Sequence, residues 1–350
     1  MERPTSVYLD LVRFTAALVV FVGHVSGARF TAGFLWQVGP YMEQAVAVFF
    51  VLSGYVIGYV TTERETNAAT YAMNRLARVA SVCLPAVALT LALDAIGRSV
   101  SPGLYSAQWG YASDDPLLRI ATAVTFTQSV WWSDLSIGSN LPYWSLNYEV
   151  AYYVMFGVAA FCGGRRRAAL LLLLACCYGP PILMLLPLWL LGLVTFRLGW
   201  RPGRLAGWLL FAGSSMLYGG YEAWAWHSGR PLAALGPPSR PDLPQDYLVA
   251  ALFAANLAGI RAIAADIAPL ARRVQRPIRW LAGRTFSLYL FHLPVAQFLA
   301  AINPLPPGHP LSRIGILGVT FLLVLLLAEI TELRKDALRR WLAGRLPRMA

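Results

Sequence analysis

Asp10, Arg13 and His24 lie in the apolar stretch DLVRFTAALVVFVGHVSG, residues 10–27, where a hydrocarbon environment penalises each of them. An ionisable group inside a membrane is costly unless paired or hydrated, so the face that carries these residues is expected to look into a bundle or a polar cavity. His24 stands eleven positions after Arg13. That is about three helical turns, so the two side chains share a face about 16 Å apart along the axis. Asp10 stands one turn before Arg13 and can pair with it. A histidine with an ordinary pKa of about 6.5 can accept a proton near neutrality and return it, which suits general base catalysis. The bland alternative is an Arg13 that snorkels to the cytoplasmic interface and a His24 satisfied in a packed core.

Four further stretches carry groups of interest. In YAMNRLARVASVCLP, Arg75 and Arg78 are one helical turn apart. Two guanidiniums so placed can grip a phosphate-bearing ligand, although basic residues at a cytoplasmic membrane entrance also serve topology alone. In NLPYWSLNYEVAYYVMFG, residues 140–157, Glu149 sits several residues into an apolar run and needs a partner. The topology allows it to share an outer cavity with His24 and to orient either that ring or an acceptor, while Trp144, Tyr148, Tyr152 and Tyr153 suit an interfacial belt. In FSLYLFHLPV, residues 286–295, Tyr289 and His292 share a helix face. Ser287 and His292 stand about 140° apart round a helix and so form no nucleophile-base pair within it. Finally, VFFVLSGYVIGYV, residues 48–60, sets Ser53-Gly54 and Gly58 where small side chains let helices approach closely.

The elements that must position these groups follow from composition. Of 350 residues, 57% are apolar and only 13% charged, which excludes an ordinary soluble domain. The expected fold is all-α, a polytopic integral-membrane helical bundle of about ten transmembrane helices with both termini cytoplasmic. The spans are read near residues 7–27, 44–62, 79–97, 142–162, 168–179, 181–197, 205–221, 245–261, 281–301 and 312–331. The first apolar segment is expected to be retained as a span. Residues 117–132 are read as re-entrant or interfacial, and residues 168–197 as two short spans broken at Gly179-Pro180-Pro181. The formal charge of +12 sits in short clusters between apolar runs, so it marks topology and not nucleic-acid binding. Cys83, Cys162, Cys176 and Cys177 have no metal-ligand spacing, so no metal is expected. One membrane domain over 1–335 with a basic cytoplasmic tail over 336–350 is the domain reading. The absence of an internal repeat counts against an inverted-repeat transporter.

Taken in order, five motifs resemble the acyltransferase-3 family of integral-membrane acyltransferases, which O-acylate bacterial surface sugars and other carbohydrates. They are Asp10-x-x-Arg13 followed by His24, FFVLSGYVIGY, Arg75-x-x-Arg78 with Pro85 after it, WSLNYEVAYY, and FSLYLFHLP. The resemblance implies that Arg13 and His24 are the family's first-helix pair, and that Arg75 and Arg78 serve the acyl donor. It maps the fifth-helix motif onto Trp144, Ser145 and Glu149. Val150 stands where relatives often have a second acidic residue, a departure that counts against a mechanism with paired carboxylates there.

The implied donor is acyl-CoA, acetyl-CoA by expectation, used as a co-substrate with no permanently bound cofactor. The implied acceptor is a carbohydrate or glycosylated molecule, and the implied location is the bacterial cytoplasmic membrane, among its lipids. His24 is then the general base, acting with Arg13 and Glu149. Asp10, Ser53, Arg75, Arg78, Trp144, Ser145, Tyr289 and His292 are expected to bind substrates. With no segment for an added esterase-like domain, the stand-alone type is expected. The rival from another class is a non-catalytic carrier of sugars or lipid-linked sugars, whose buried Arg, His and Glu line a pathway.

Overall fold

The computed structural model describes residues 2–229, 232 and 235–345. Parts of the loop 227–246 and the last residues of the basic tail, 346–350, lie outside the described residues. Helices dominate, and among the described residues the only β pairing is an isolated bridge between Ala112 and Gly138.

The first half of the chain contributes α1 (Arg3–Val25), α2 (Ala28–Thr31), α3 (Met42–Glu63), α4 (Ala68–Val100), α5 (Pro116–Thr125), α6 (Trp144–Phe161) and α7 (Gly164–Tyr178). There follow α8 (Pro180–Leu198), α9 (Arg204–Ser228), α10 (Leu243–Ala262), α11 (Ala264–Ala282), α12 (Thr285–Ile302), α13 (Pro310–Ile330) and α14 (Lys335–Arg345). Each predicted span coincides with one of these helices. Seven helical stretches among the described residues are long and apolar enough to cross a membrane, fewer than the ten expected. They are built on α1, α3, α4, α8, α10, α12 and α13. The shortfall has physical causes. The 15 residues of α7 rise only about 22 Å, against a hydrocarbon core of about 30 Å. In α6 and α9, polar residues such as Asn147, Glu149, Glu222 and His227 dilute the apolar run.

The break inside residues 168–197 falls where it was expected. Gly179 takes a φ of 77°, and Pro180 opens α8 directly after it. Helix α5 has 10 residues and is too short to span, in keeping with an interfacial or re-entrant segment. The arginine-rich stretch after α10 is itself helical. Arg272, Arg273, Arg276 and Arg279 lie along the strongly amphipathic α11.

The chain divides into two compact units. One comprises Met1–Ala16, Glu43–Arg64 and Met184–Ala282. Within it α3 and α8 cross at glycine. A Cβ on Gly54 would strike the Trp189 carbonyl oxygen, and one on Gly192 would strike that of Val51. Only hydrogen at both positions allows the backbones so near each other. The contact of α9 with α10 uses the same device, where Gly259 lies against the backbone of Phe211 and Gly207 against Ala262.

The other unit comprises Ala17–Met42, Glu65–Leu183 and Gly283–Ala350. Here α12 packs against α4 and α13 and is buried along most of its length. The segment before α6 is stitched to both neighbours. Ser139 bonds Asp94 on α4, and the Asn140 amide donates to Thr90 Oγ1 at 3.1 Å and to the Leu290 carbonyl at 3.0 Å.

Candidate active site

The second unit brings two histidines together that stand 268 residues apart in sequence. His24 is the penultimate residue of α1, and His292 is in the middle of α12. His292 Nε2 lies 3.1 Å from His24 Nδ1, with ring centroids 5.1 Å apart. Each ring is also tied to its own helix, His24 Nδ1 at 3.0 Å from the Val20 carbonyl and His292 Nδ1 at 2.8 Å from that of Leu288.

These contacts assign the protons. A carbonyl only accepts, so Nδ1 of His292 must carry hydrogen and donate to Leu288. In the neutral ring Nε2 of His292 is then a lone-pair acceptor. His24 Nδ1–H donates to it and to the Val20 carbonyl, which leaves the lone pair of His24 on Nε2. That nitrogen is the one available as a base. His292 is fully buried, with Phe21 edge-on at 5.9 Å, whereas His24 is half-buried.

The sequence left Glu149 to orient either His24 or the acceptor. The hydrogen bonds of His24 go instead to Val20 and His292, while Glu149 accepts from the Tyr153 phenol one turn on. Glu149 belongs with a basic cluster. Arg78 is hydrogen-bonded to Tyr153, lies in the field of Glu149 and Glu332, and sits 5.8 Å over the Phe286 ring. Arg75 donates to Glu65 Oε1 at 2.8 Å, and Asn74 donates to the same oxygen. Its guanidinium faces the rings of Tyr71 and Tyr153, and its buried Nε has no hydrogen-bond partner. Phosphate binding by Arg75 would therefore trade a carboxylate already in place for the ligand.

Ser145 and Tyr289 also meet, with 2.7 Å between their hydroxyl oxygens. Ser145 also lies 3.3 Å from the Pro142 carbonyl, and either hydroxyl can be the donor in the bond to Tyr289. This bond joins WSLNYE on α6 to FSLYLFH on α12, one turn before His292. Trp144 is half-buried and edge-on to Tyr148 at 5.1 Å. In the first unit, Arg13 pairs with Asp10 at 3.3 Å as the spacing predicted, with Arg279 of α11 adding a second cation near that carboxylate. Ser53 accepts the Trp189 indole N–H at 3.2 Å beside the Gly54 crossing, a packing position.

Two residues escaped the sequence reading. Arg29, in the short α2, exerts its charge on His24 while donating to the Trp109 carbonyl at 2.6 Å. Burial pushes its pKa down to about 10, which leaves it cationic at neutral pH. A cation five residues after the histidine was the available signal. Asp94, a lone carboxylate in the apolar run LTLALDAIG of α4, is buried and takes two hydrogen bonds from Ser139. Among the described residues no cluster of His, Cys, Asp and Glu suits a metal.

Comparison with known proteins adds the following. Residues 6–329 match the acyltransferase-3 family profile, described as an acyltransferase domain. The chain is 29% identical over 155 residues to the acyltransferase MdmB of Streptomyces mycarofaciens, over 41% of this chain and 36% of that protein. The match therefore spans about a third of that relative's length. No solved structure matches the chain.

Proposed function

The chain belongs to the acyltransferase-3 family, and from that membership we propose that it moves an acyl group, acetyl by expectation, from acyl-CoA to a hydroxyl of a carbohydrate or glycosylated acceptor. The observation that carries the reading is the contact between His24 and His292, which leaves one imidazole lone pair on a half-buried ring. His24 Nε2 removes the acceptor hydroxyl proton as the oxygen attacks the thioester carbonyl. The resulting imidazolium is held by its Nδ1–H bond to His292 Nε2. Collapse of the tetrahedral intermediate expels the CoA thiolate, which takes the proton back from His24, so the products are the ester and free CoA.

The cation of Arg29 is the candidate to stabilise the oxyanion, because its charge acts where His24 sits. Arg75 and Arg78 are assigned to the nucleotide end of the donor, as the paired guanidiniums suit phosphate. His292 is a positioning residue, Glu149 supports the arginine cluster, and Trp144 offers a stacking face for a sugar. Arg13 and Asp10 shape the first-helix face. In this proposal the helices make about ten spans with both termini cytoplasmic, in a bacterial cytoplasmic membrane.

The test is release of free thiol by purified protein in nanodiscs, given acetyl-CoA and a panel of sugar acceptors. Acceptor-dependent CoA release supports the reading. Sugar uptake into sealed vesicles without CoA release would overturn it and favour a carrier.

A further inference from the structure

In the second unit the C-terminal part of α4 borders a cleft of about 200 Å³. Its walls come from α4, the Tyr111–Ser113 loop, the start of α5 and the Ile137–Gly138 turn. The isolated bridge between Ala112 and Gly138 fastens two of these walls together. Gly138 holds a φ of 51°, and a Cβ there would strike the Asp94 carboxylate. The turn therefore needs glycine in order to seat against Asp94.

The lining has a distinct chemistry. Asp94 is buried, anchored at 2.6 Å and 2.8 Å by Ser139, and under the charge of Arg98. Arg98 is exposed and lies over the Tyr111 ring at 5.5 Å, with only a long 3.4 Å bond to its hydroxyl. The second cation, Arg119, is consumed by Asp114, which it holds through two guanidinium bonds of 2.8 Å and 2.9 Å. The lining itself carries one carboxylate and two guanidiniums, and the excess charge of Arg119 is matched by Asp114 just outside it. What remains is a fixed carboxylate, an exposed guanidinium, an aromatic ring and an apolar floor that includes Ile120 and Ile137.

With each guanidinium set beside a carboxylate, Arg98 by Asp94 and Arg119 by Asp114, the cleft favours neither a phosphate nor a uronic acid. It does match a polyhydroxylated ring, whose hydroxyls can donate to a carboxylate, accept from a guanidinium and lay C–H faces on apolar side chains. The volume falls below the roughly 300–1,000 Å³ of drug-sized sites, which suits one sugar better than a nucleotide-bearing donor. Asn140, next to Ser139, donates to the Leu290 carbonyl two residues before His292. The same stretch of α12 therefore supports both the cleft wall and the buried histidine.

We propose that this cleft is an acceptor subsite that holds one neutral monosaccharide unit through Asp94, Arg98 and Tyr111, an inference that rests on the acyl-transfer reading. Ala95 lines the cleft and is exposed, so Ala95→Phe fills the space without emptying a core. Arg98→Ala removes the free donor. The probes are methyl β-D-glucopyranoside and methyl α-D-mannopyranoside, followed by saturation-transfer NMR on the full chain in nanodiscs without acyl-CoA.

The wild type is expected to saturate at least one glycoside, and both variants, with unchanged unfolding midpoints, are expected to lose that signal. In the transfer assay both variants should raise the KM of the best acceptor at least ten-fold, with kcat within two-fold. If the wild type transfers acyl groups but the variants keep acceptor KM and glycoside saturation, the cleft assignment is overturned and the acyl-transfer reading stands. If the wild type transfers to no acceptor, that reading falls and takes the acceptor subsite with it.

Discussion

Replacing His292 with phenylalanine tests the internal logic of the histidine pair. The side chain is completely buried and already meets Phe21 edge-on at 5.9 Å, so an aromatic of similar shape can occupy the space. What the substitution removes is the acceptor, 3.1 Å away, for His24 Nδ1–H. In the proposed mechanism that bond matters most when His24 becomes an imidazolium on taking the acceptor proton. A hydrogen bond to a charged group contributes about 1.5–3 kcal/mol, and each 1.36 kcal/mol of barrier is tenfold in rate. The expected loss in kcat is therefore about ten- to a hundred-fold. It should fall short of the loss in His24→Ala, because the Val20 carbonyl still holds Nδ1 at 3.0 Å.

His292→Gln offers a carbonyl oxygen near the position of Nε2 and should recover most of the rate. The assay is acceptor-dependent CoA release at saturating substrates, on variants whose unfolding midpoints match the wild type. In a His24→Ala background the Phe substitution should cost almost nothing more, since residues that act as one unit are not additive. Wild-type kcat in folded His292→Phe would refute the reasoning. An equal loss with and without His24 would show a purely structural role.

Three further outcomes follow from the geometry. Arg75→Ala should raise the acyl-CoA KM at least ten-fold with kcat within about three-fold. Glu65→Gln, which removes the carboxylate 2.8 Å from that guanidinium, should lower the same KM, and steady-state titration of acetyl-CoA checks both directions. Gly54→Ala forces a Cβ against the Trp189 carbonyl, so it should cost about 1–3 kcal/mol and lower the unfolding midpoint in detergent. Adding Gly192→Ala at the same crossing should cost less than its separate effect. Arg119 holds the Asp114 carboxyl below its ordinary pKa. The stabilisation is present above the unfolded-state value and is lost as pH falls through the folded one, so acid should lower the wild-type midpoint more than that of Asp114→Asn.

Much of the fold was legible because lipid imposes a length. Apolar runs marked the helices, and Gly179-Pro180 marked the break between α7 and α8 where φ turns positive. The helical connection α11 was hidden because its arginines read as loop charge, although their spacing along one helix was visible. Each histidine of the pair stood out alone, but nothing in a sequence sets residue 24 beside residue 292 before the helices are packed. The depth of Glu149 left its partner open for the same reason. Its helix register turns it to Tyr153 and the Arg78 cluster, a fact about neighbours and not about position along the span. Asp94 was readable and was passed over. A solitary carboxylate in an apolar helix is itself a sign of function.

The central proposed step is removal of the acceptor hydroxyl proton by His24 during acyl transfer. The measurement that reaches it most directly uses acetyl-CoA labelled with ¹³C in the acetyl group. The ester carbon formed on the best acceptor of the panel is followed by NMR for wild type and for His24→Ala in nanodiscs. The prediction is a labelled ester from the wild type and a rate at least a hundred-fold lower from a folded His24→Ala. Equal labelling by that variant would contradict it.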